Sequence, residues 1–216
     1  MGIQVIGGIV YRSLLMRILA ELPENITLFW TWLAKQGWHI NWESPQELMR
    51  VGIEDPSKID EFMIGHLRKS WEPLTQRILE LQPLRSKILS RAFEHMENED
   101  WISAIPLLFS QIDGIALNTF GVSIFYQRKS LEKKIRKRVP DPDTFLKIIL
   151  DIMIVETPFE KTAEELNTSA SLDGPSRHGV MHGREISLEY GTRENAYKTF
   201  SLLCFTVDCC NRASKA

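Results

Sequence analysis

Two imidazoles and a guanidinium fall close together in the stretch Arg177-His178-Gly179-Val180-Met181-His182-Gly183. These residue types suit chemistry on phosphodiesters. Arginine presents a planar fork of donors matched to phosphate oxygens and stays protonated at any working pH. Histidine titrates near neutrality, so His182 can move a proton to or from a ribose hydroxyl without a metal ion. Pro175 reads as the start of a helix that runs to about Tyr190-Gly191, which puts the group in its first turns. Unpaired N–H groups and a partial positive charge at such a terminus attract phosphate before any side chain is counted.

Spacing decides which of these side chains can meet. At about 100° per residue His178 and His182 share one stripe of the helix, whereas Arg177 and His182 stand about 140° apart. Convergence on one phosphate then needs Arg177 in the cap with its side chain folded over, or a second copy of the chain across a twofold axis. Two other readings fit the same residues. Histidines at i,i+4 can ligate a metal, although no carboxylate or cysteine cluster supplies obvious further ligands. Alternatively His182 packs in a core, with Gly179 and Gly183 allowing helices to approach closely.

The elements that position this group read as helical throughout. No run shows the sustained alternation bounded by turn pairs that a sheet requires, so the fold class is all-α. Helices are expected over Tyr11 to Leu22 and Asn25 to Gly37, separated by Pro23, the second rich in Phe29, Trp30, Trp32 and Trp38. Ser44-Pro45-Gln46-Glu47 has the form of a capping box. Asp55-Pro56 starts a helix toward Leu81 that Pro73 should kink or split. Then come longer helices, Leu84 to Glu97, Trp101 to Gly121, Ser130 to Arg138 and Asp143 to Val155, the last started by Asp141-Pro142-Asp143. Thr157 to Ser176 is loop-like, and a final helix begins at Thr192 and runs through Ala196, Phe200, Leu203 and Val207. This pattern divides at about residue 82, into an N-terminal helical region, 1–82, and a C-terminal bundle, 83–216.

The chain has 216 residues, 44% of them hydrophobic, enough for a full core. Its 26 basic and 28 acidic residues nearly cancel, so net charge excludes a uniformly basic nucleic-acid coat and leaves only local patches. One patch stands out: Arg128, Lys129, Lys133, Lys134, Arg136, Lys137 and Arg138 occur with Glu132 as the single acid among them. That run is either a solvated helix face or a phosphate-contacting surface. Cys204, Cys209 and Cys210 crowd into one apolar stretch and read as core thiols in a reducing compartment. With no convincing secretory signal, the expected location is cytoplasmic. Trp101 to Gln127 is long enough to span a bilayer, but Gln111, Asp113, Asn118 and Gln127 favour a central bundle helix instead.

The region from about 84 to 212 resembles the HEPN superfamily, whose signature is an arginine, an Asn, Asp or His, three variable residues and a histidine. Arg177, His178 and His182 fill those places. The surrounding SRHGVMHGREISLEYGTRENAYKTFSLL resembles the close of prokaryotic HEPN-like proteins, and DWISAIPLLFSQIDGI the helix that precedes their motif. The resemblance implies an up-and-down helical bundle with an N-terminal helical extension. It further implies a metal-independent endoribonuclease, without cofactor, of the defence or toxin type. Arg177 would hold the scissile phosphate, His182 act as general base or acid, and His178 orient the backbone or share the proton transfer. Gln111 and Asp113 would support the motif from inside the bundle, Asp113 by fixing an imidazole tautomer or else by pairing with some backbone group. The implied partners are RNA, a second copy of the chain, and a separate antitoxin or regulatory protein. The alternative within the same resemblance is a catalytically inactive module that binds RNA, a nucleotide or a protein.

Overall fold

Turn chemistry and proline placement divide the chain much as the sequence dictates. The computed structural model describes residues 24–41, 44, 48, 55–125, 128–161, 165 and 174–215, and among them no strand occurs. The helix expected over Tyr11 to Leu22 and most of the Ser44–Glu47 capping box lie outside the described residues. Helix α1 spans 24–35. After a 3-10 turn at Pro56–Lys58, α2 covers Ile59–Lys69 and α3 covers Trp71–Leu81. The expected split is therefore real, and it falls at Ser70 so that Pro73 lies in the first turn of α3, where its missing N–H costs nothing.

The next helices are α4 (Ser86–Glu97), α5 (Trp101–Phe120), α6 (Arg128–Arg138) and α7 (Thr144–Met153). Asp100 caps α5 by accepting the Ser103 N–H at 3.2 Å, and Asp143 caps α7 by accepting the Leu146 N–H at 2.8 Å. Helix α5 stops at Gly121, whose φ of 70° is the left-handed conformation that glycine adopts without strain. The motif begins a short helix, α8 (Arg177–Met181), followed by a 3-10 segment over Glu185–Tyr190. The chain closes with α9 (Arg193–Ala213), whose Thr192 cap accepts the Asn195 N–H at 3.1 Å.

Helix α9 is the axis of the fold. It lies along α5 and also meets α2, α3 and α7, while α4 packs against α5 and reaches α9 through Phe93 on Phe200. Every residue from Ala196 to Cys210 is buried, including the three cysteines. Burial pushes the Cys210 thiol up to about 12 and Cys209 well above its ordinary value, so these behave as core groups. Residues on both sides of position 82 share one hydrophobic cluster, from Leu33 and Trp38 through Phe93 and Phe109 to Phe200 and Phe205. Polar groups on α9 reach across it too. Asp208 accepts from Arg77 at 2.8 Å, and the Ser201 hydroxyl accepts the His39 N–H at 3.1 Å. Among the described residues no helix is long and apolar enough to cross a membrane.

One joint couples the motif segment to α5. Pro106 sits inside α5 and has no N–H, so the carbonyl of Ile102, four residues earlier, lacks its helical donor. The Tyr190 hydroxyl supplies that hydrogen bond at 2.9 Å. A Cβ added to the neighbouring Gly191 would stand 2.4 Å from the Ile102 side chain, so the 3-10 segment lies directly on the start of α5.

Candidate functional site

The arginine–histidine group is carried by a single helical turn. The expectation of one helix from Pro175 to Tyr190 is corrected here: α8 ends at Met181, and the chain turns through Gly183, whose φ is 60°. Glycine at that position opens the helix and sends Arg184 away in extended backbone, φ −69° and ψ 134°. Ser176 caps the turn. Its buried hydroxyl accepts the Gly179 N–H at 3.1 Å and donates to the Lys161 carbonyl at 2.7 Å, which anchors α8 to the segment after α7. So short a helix carries little macrodipole, and one of its terminal N–H groups is already taken by the cap. Attraction of phosphate by the helix end is correspondingly weaker than the sequence implies.

Arg177 occupies the first helical position, not the cap, and points toward α5. Its Nη2 lies 3.5 Å from Oδ2 of Asp113, and its guanidinium stands over the Phe125 ring at 5.8 Å from the centroid. Both charged side chains are mostly covered, at 18% and 21% exposure, so the pair is screened less than a surface one. The contact that Asp113 makes is thus with the guanidinium, where the sequence reading offered an imidazole or a backbone group. Its other oxygen, Oδ1, is buried and makes no hydrogen bond among the described residues.

The two imidazoles meet as the i,i+4 stripe requires, with ring centroids 4.5 Å apart and planes at 53°. His182 is exposed, as are all residues from Met181 to Ile186, whereas His178 is partly covered. Partial burial, and then the positive charges of His182, Arg184 and Arg177, hold the His178 pKa below its ordinary value. A neutral, proton-accepting imidazole therefore lies beside a second imidazole that faces solvent. The reading of His182 as a core histidine does not hold.

Gln111 sits about 200° around α5 from Asp113. It is buried, accepts from Arg85 Nη1 at 3.0 Å and donates to the Ser110 hydroxyl at 2.9 Å, so it braces the α4–α5 contact and is not brought to the motif. The basic run forms α6, with Leu131, Ile135 and Val139 buried along one stripe and Lys129, Lys133, Lys134, Arg136, Lys137 and Arg138 exposed. Arg136 is ion-paired with Glu132 at 2.8 Å. Arg128 starts this helix only three residues after Phe125, so its Cα is within about 11 Å of the ring's own Cα.

Sequence reasoning did not single out Phe125 or Ser176. Ser176 was legible as a capping residue directly before Arg177, but its link to Lys161 was not. The exposed apolar side chains that follow the motif were also missed: Met181, Ile186 and Leu188 are 39%, 41% and 61% exposed. Among the described residues no group of three or more His, Cys, Asp or Glu side chains is arranged to hold a metal ion. Comparison with known proteins returned no similar family model, no similar curated sequence and no similar solved structure.

Proposed function

We propose that this chain is a metal-independent endoribonuclease of the HEPN type, acting through Arg177, His178 and His182. The observation that carries the reading is the imidazole pair, 4.5 Å apart, on a solvent-facing turn that also bears a fixed guanidinium. In this reading His178, held neutral, takes the proton of a ribose 2′-hydroxyl. The 2′-oxygen attacks the adjacent phosphorus, and His182 delivers a proton to the departing 5′-oxygen. Arg177 neutralises charge on the phosphoryl oxygens, in a position set by Asp113 and Phe125. The products are a 2′,3′-cyclic phosphate and a free 5′-hydroxyl. Helix α6 supplies a cationic rim for the RNA backbone.

A homodimer belongs to the same proposal. Met181, Ile186 and Leu188, at the end of the motif and just beyond it in the chain, are large apolar side chains open to solvent, of the kind that marks an association face on a folded protein. A twofold axis there would bring two motifs together. A separate antitoxin or regulatory protein would act by covering the same face, and a cytoplasmic location fits an enzyme whose substrate is cellular RNA.

The engagement of Arg177 with Asp113 favours one second reading, an inactive module that binds RNA or a partner protein, because the pair occupies the cation that catalysis needs. Incubation of total RNA with the purified protein in EDTA decides between them. Cleavage that leaves 2′,3′-cyclic ends and is lost in Arg177→Ala and His182→Ala supports the enzyme. RNA that is bound tightly and left intact overturns it and leaves the binding module.

A further inference from the structure

A second constellation lies at the start of α5, about 18 Å from the level of Asp113 by the rise of twelve helical residues. There the start of α5, the end of α4 and residues of α2, α3 and α9 line an open cavity of about 220 Å³. It is lined by Trp71, Trp101 and Tyr197 together with Glu97, Glu99 and Arg68. The rings are fixed. Trp71 donates its indole N–H to Glu97 at 2.8 Å and packs on Phe200 at 4.6 Å between centroids, while Trp101 and Tyr197 stand 5.9 Å apart.

Aromatic faces attract cations through their quadrupoles and do so most where water is partly excluded. The lining residues hold two carboxylates and one guanidinium, and Arg193, one helical turn from Tyr197, is ion-paired with Glu61 and Glu194. Such a cavity selects a bulky, weakly hydrated monocation over an anion or a neutral apolar group.

The backbone adds an independent observation. Helix α4 closes in a Schellman turn: the Asp100 N–H bonds to the His95 carbonyl at 2.9 Å and the Glu99 N–H to the Met96 carbonyl at 3.2 Å. The left-handed position in that turn, φ 57°, is the one glycine fills most easily. Here it is Glu99, the one non-glycine residue with positive φ among the described residues. A backbone position in the left-handed region thus carries one of the carboxylates that line the aromatic cavity.

We propose that this cavity binds a quaternary ammonium group, whether of a free small molecule such as choline or of a trimethylated lysine side chain. Binding is separate from the arginine–histidine site and does not depend on its activity. The test is titration of the intact protein with choline at constant ionic strength, followed by NMR of its methyl signal. The comparison compound is 3,3-dimethylbutan-1-ol, its uncharged isostere. Choline should saturate and bind at least about fivefold more tightly than the isostere, since one cation–π contact is worth roughly that factor. Glu99→Gln should weaken choline and leave the isostere unchanged. Glu99→Gly should weaken choline equally while raising the thermal unfolding midpoint, because glycine relieves the left-handed strain. A blocked trimethyllysine peptide identifies the source: tighter binding than choline assigns the site to a modified side chain, equal or weaker binding to a free ligand. Equal affinity for choline and its isostere, or no saturable choline binding by a folded wild type, overturns the proposal.

Discussion

Helix α9 and the shelf formed by α8 and the exposed residues after it, up to Ile186, are neighbours in the chain, joined through the 3-10 segment Glu185–Tyr190, yet they are opposite in character. From Ala196 to Cys210 every side chain is buried; Asp208 is tied to Arg77 at 2.8 Å and Thr199 to the Asn195 carbonyl at 2.7 Å, while the Thr206 hydroxyl makes no hydrogen bond among the described residues. From Met181 to Ile186 every residue is exposed, and the helix preceding them is one turn long. A helix buried all round must satisfy its polar groups within the protein, so its sequence is constrained at each position. The shelf is constrained at very few. Stability is therefore concentrated in α9, and the shelf carries His182 out into solvent.

The sharpest way to break this contrast is to cut into α9. Phe200 is fully buried between Trp71 and Phe93, with centroids 4.6 and 5.9 Å away. Phe200→Ala should cost about 3–5 kcal/mol, read as a lower denaturant midpoint. A loss below about 1 kcal/mol would mean that α9 is not the central element. On the shelf, His182→Ala should move the unfolding free energy by no more than about 0.5 kcal/mol, since it removes an exposed side chain. The same change should lower RNA cleavage by at least about 10²-fold. A destabilised His182→Ala protein would show that the shelf, too, is part of the core.

A pH measurement sharpens the contrast between histidines. His39 is wholly buried against Phe159 and Phe205, and desolvation takes its pKa to about 3, against a small opposing effect from the Gly37 carbonyl. The unfolded chain protonates this group near 6.5 while the folded one stays neutral. Its contribution is therefore complete above pH 6.5 and is lost as pH falls toward 3, by about 2 kcal/mol at pH 5. His39→Gln should show a shallower loss of stability between pH 7 and 5 than the wild type. A parallel slope in the two proteins would place His39 in contact with water. His178, only partly covered, should instead reveal its lowered pKa in activity, with the acid limb of kcat/KM below about 6.5.

What was legible in the sequence follows the same division. Caps, prolines and apolar periodicity are local signals, so Asp143 and Thr192 marked their helix starts, and the fold class followed from helical patterning without strand alternation. The imidazole stripe was legible for the same reason, as a matter of four-residue spacing. The end of α8 was not, because Glu185 to Tyr190 has an acceptable helical composition and is turned into a 3-10 segment by two tertiary facts. Gly183 takes a positive φ, and Tyr190 is drawn to the Ile102 carbonyl that Pro106 leaves without a donor. The choice of Asp113 for Arg177 is likewise tertiary, since it joins residues 64 positions apart, and spacing carries no record of it.

The smallest change tests whether the shelf is positioned or merely exposed. Ser176 is buried, accepts the Gly179 N–H and donates to the Lys161 carbonyl, so one hydroxyl both caps α8 and fastens it to the chain beyond α7. Ser176→Ala removes both bonds without adding volume. Loss of a cap costs about 1 kcal/mol, and the global unfolding midpoint should fall by no more than that. The local effect should be larger in consequence. Five residues make too few internal hydrogen bonds to hold a helix without its cap, so Arg177 and His178 lose their common frame while Asp113 and Phe125 still attract the guanidinium. RNA cleavage should therefore fall well beyond what 1 kcal/mol of global stability explains, and Ser176→Thr, which keeps the hydroxyl, should restore most of it. Amide exchange at Gly179 and Val180 gives a second readout, faster in Ser176→Ala and near wild type in Ser176→Thr. If cleavage and exchange are unchanged in Ser176→Ala, the α8 turn is set by the packing of Val180 and by Gly183 alone, and the cap is incidental.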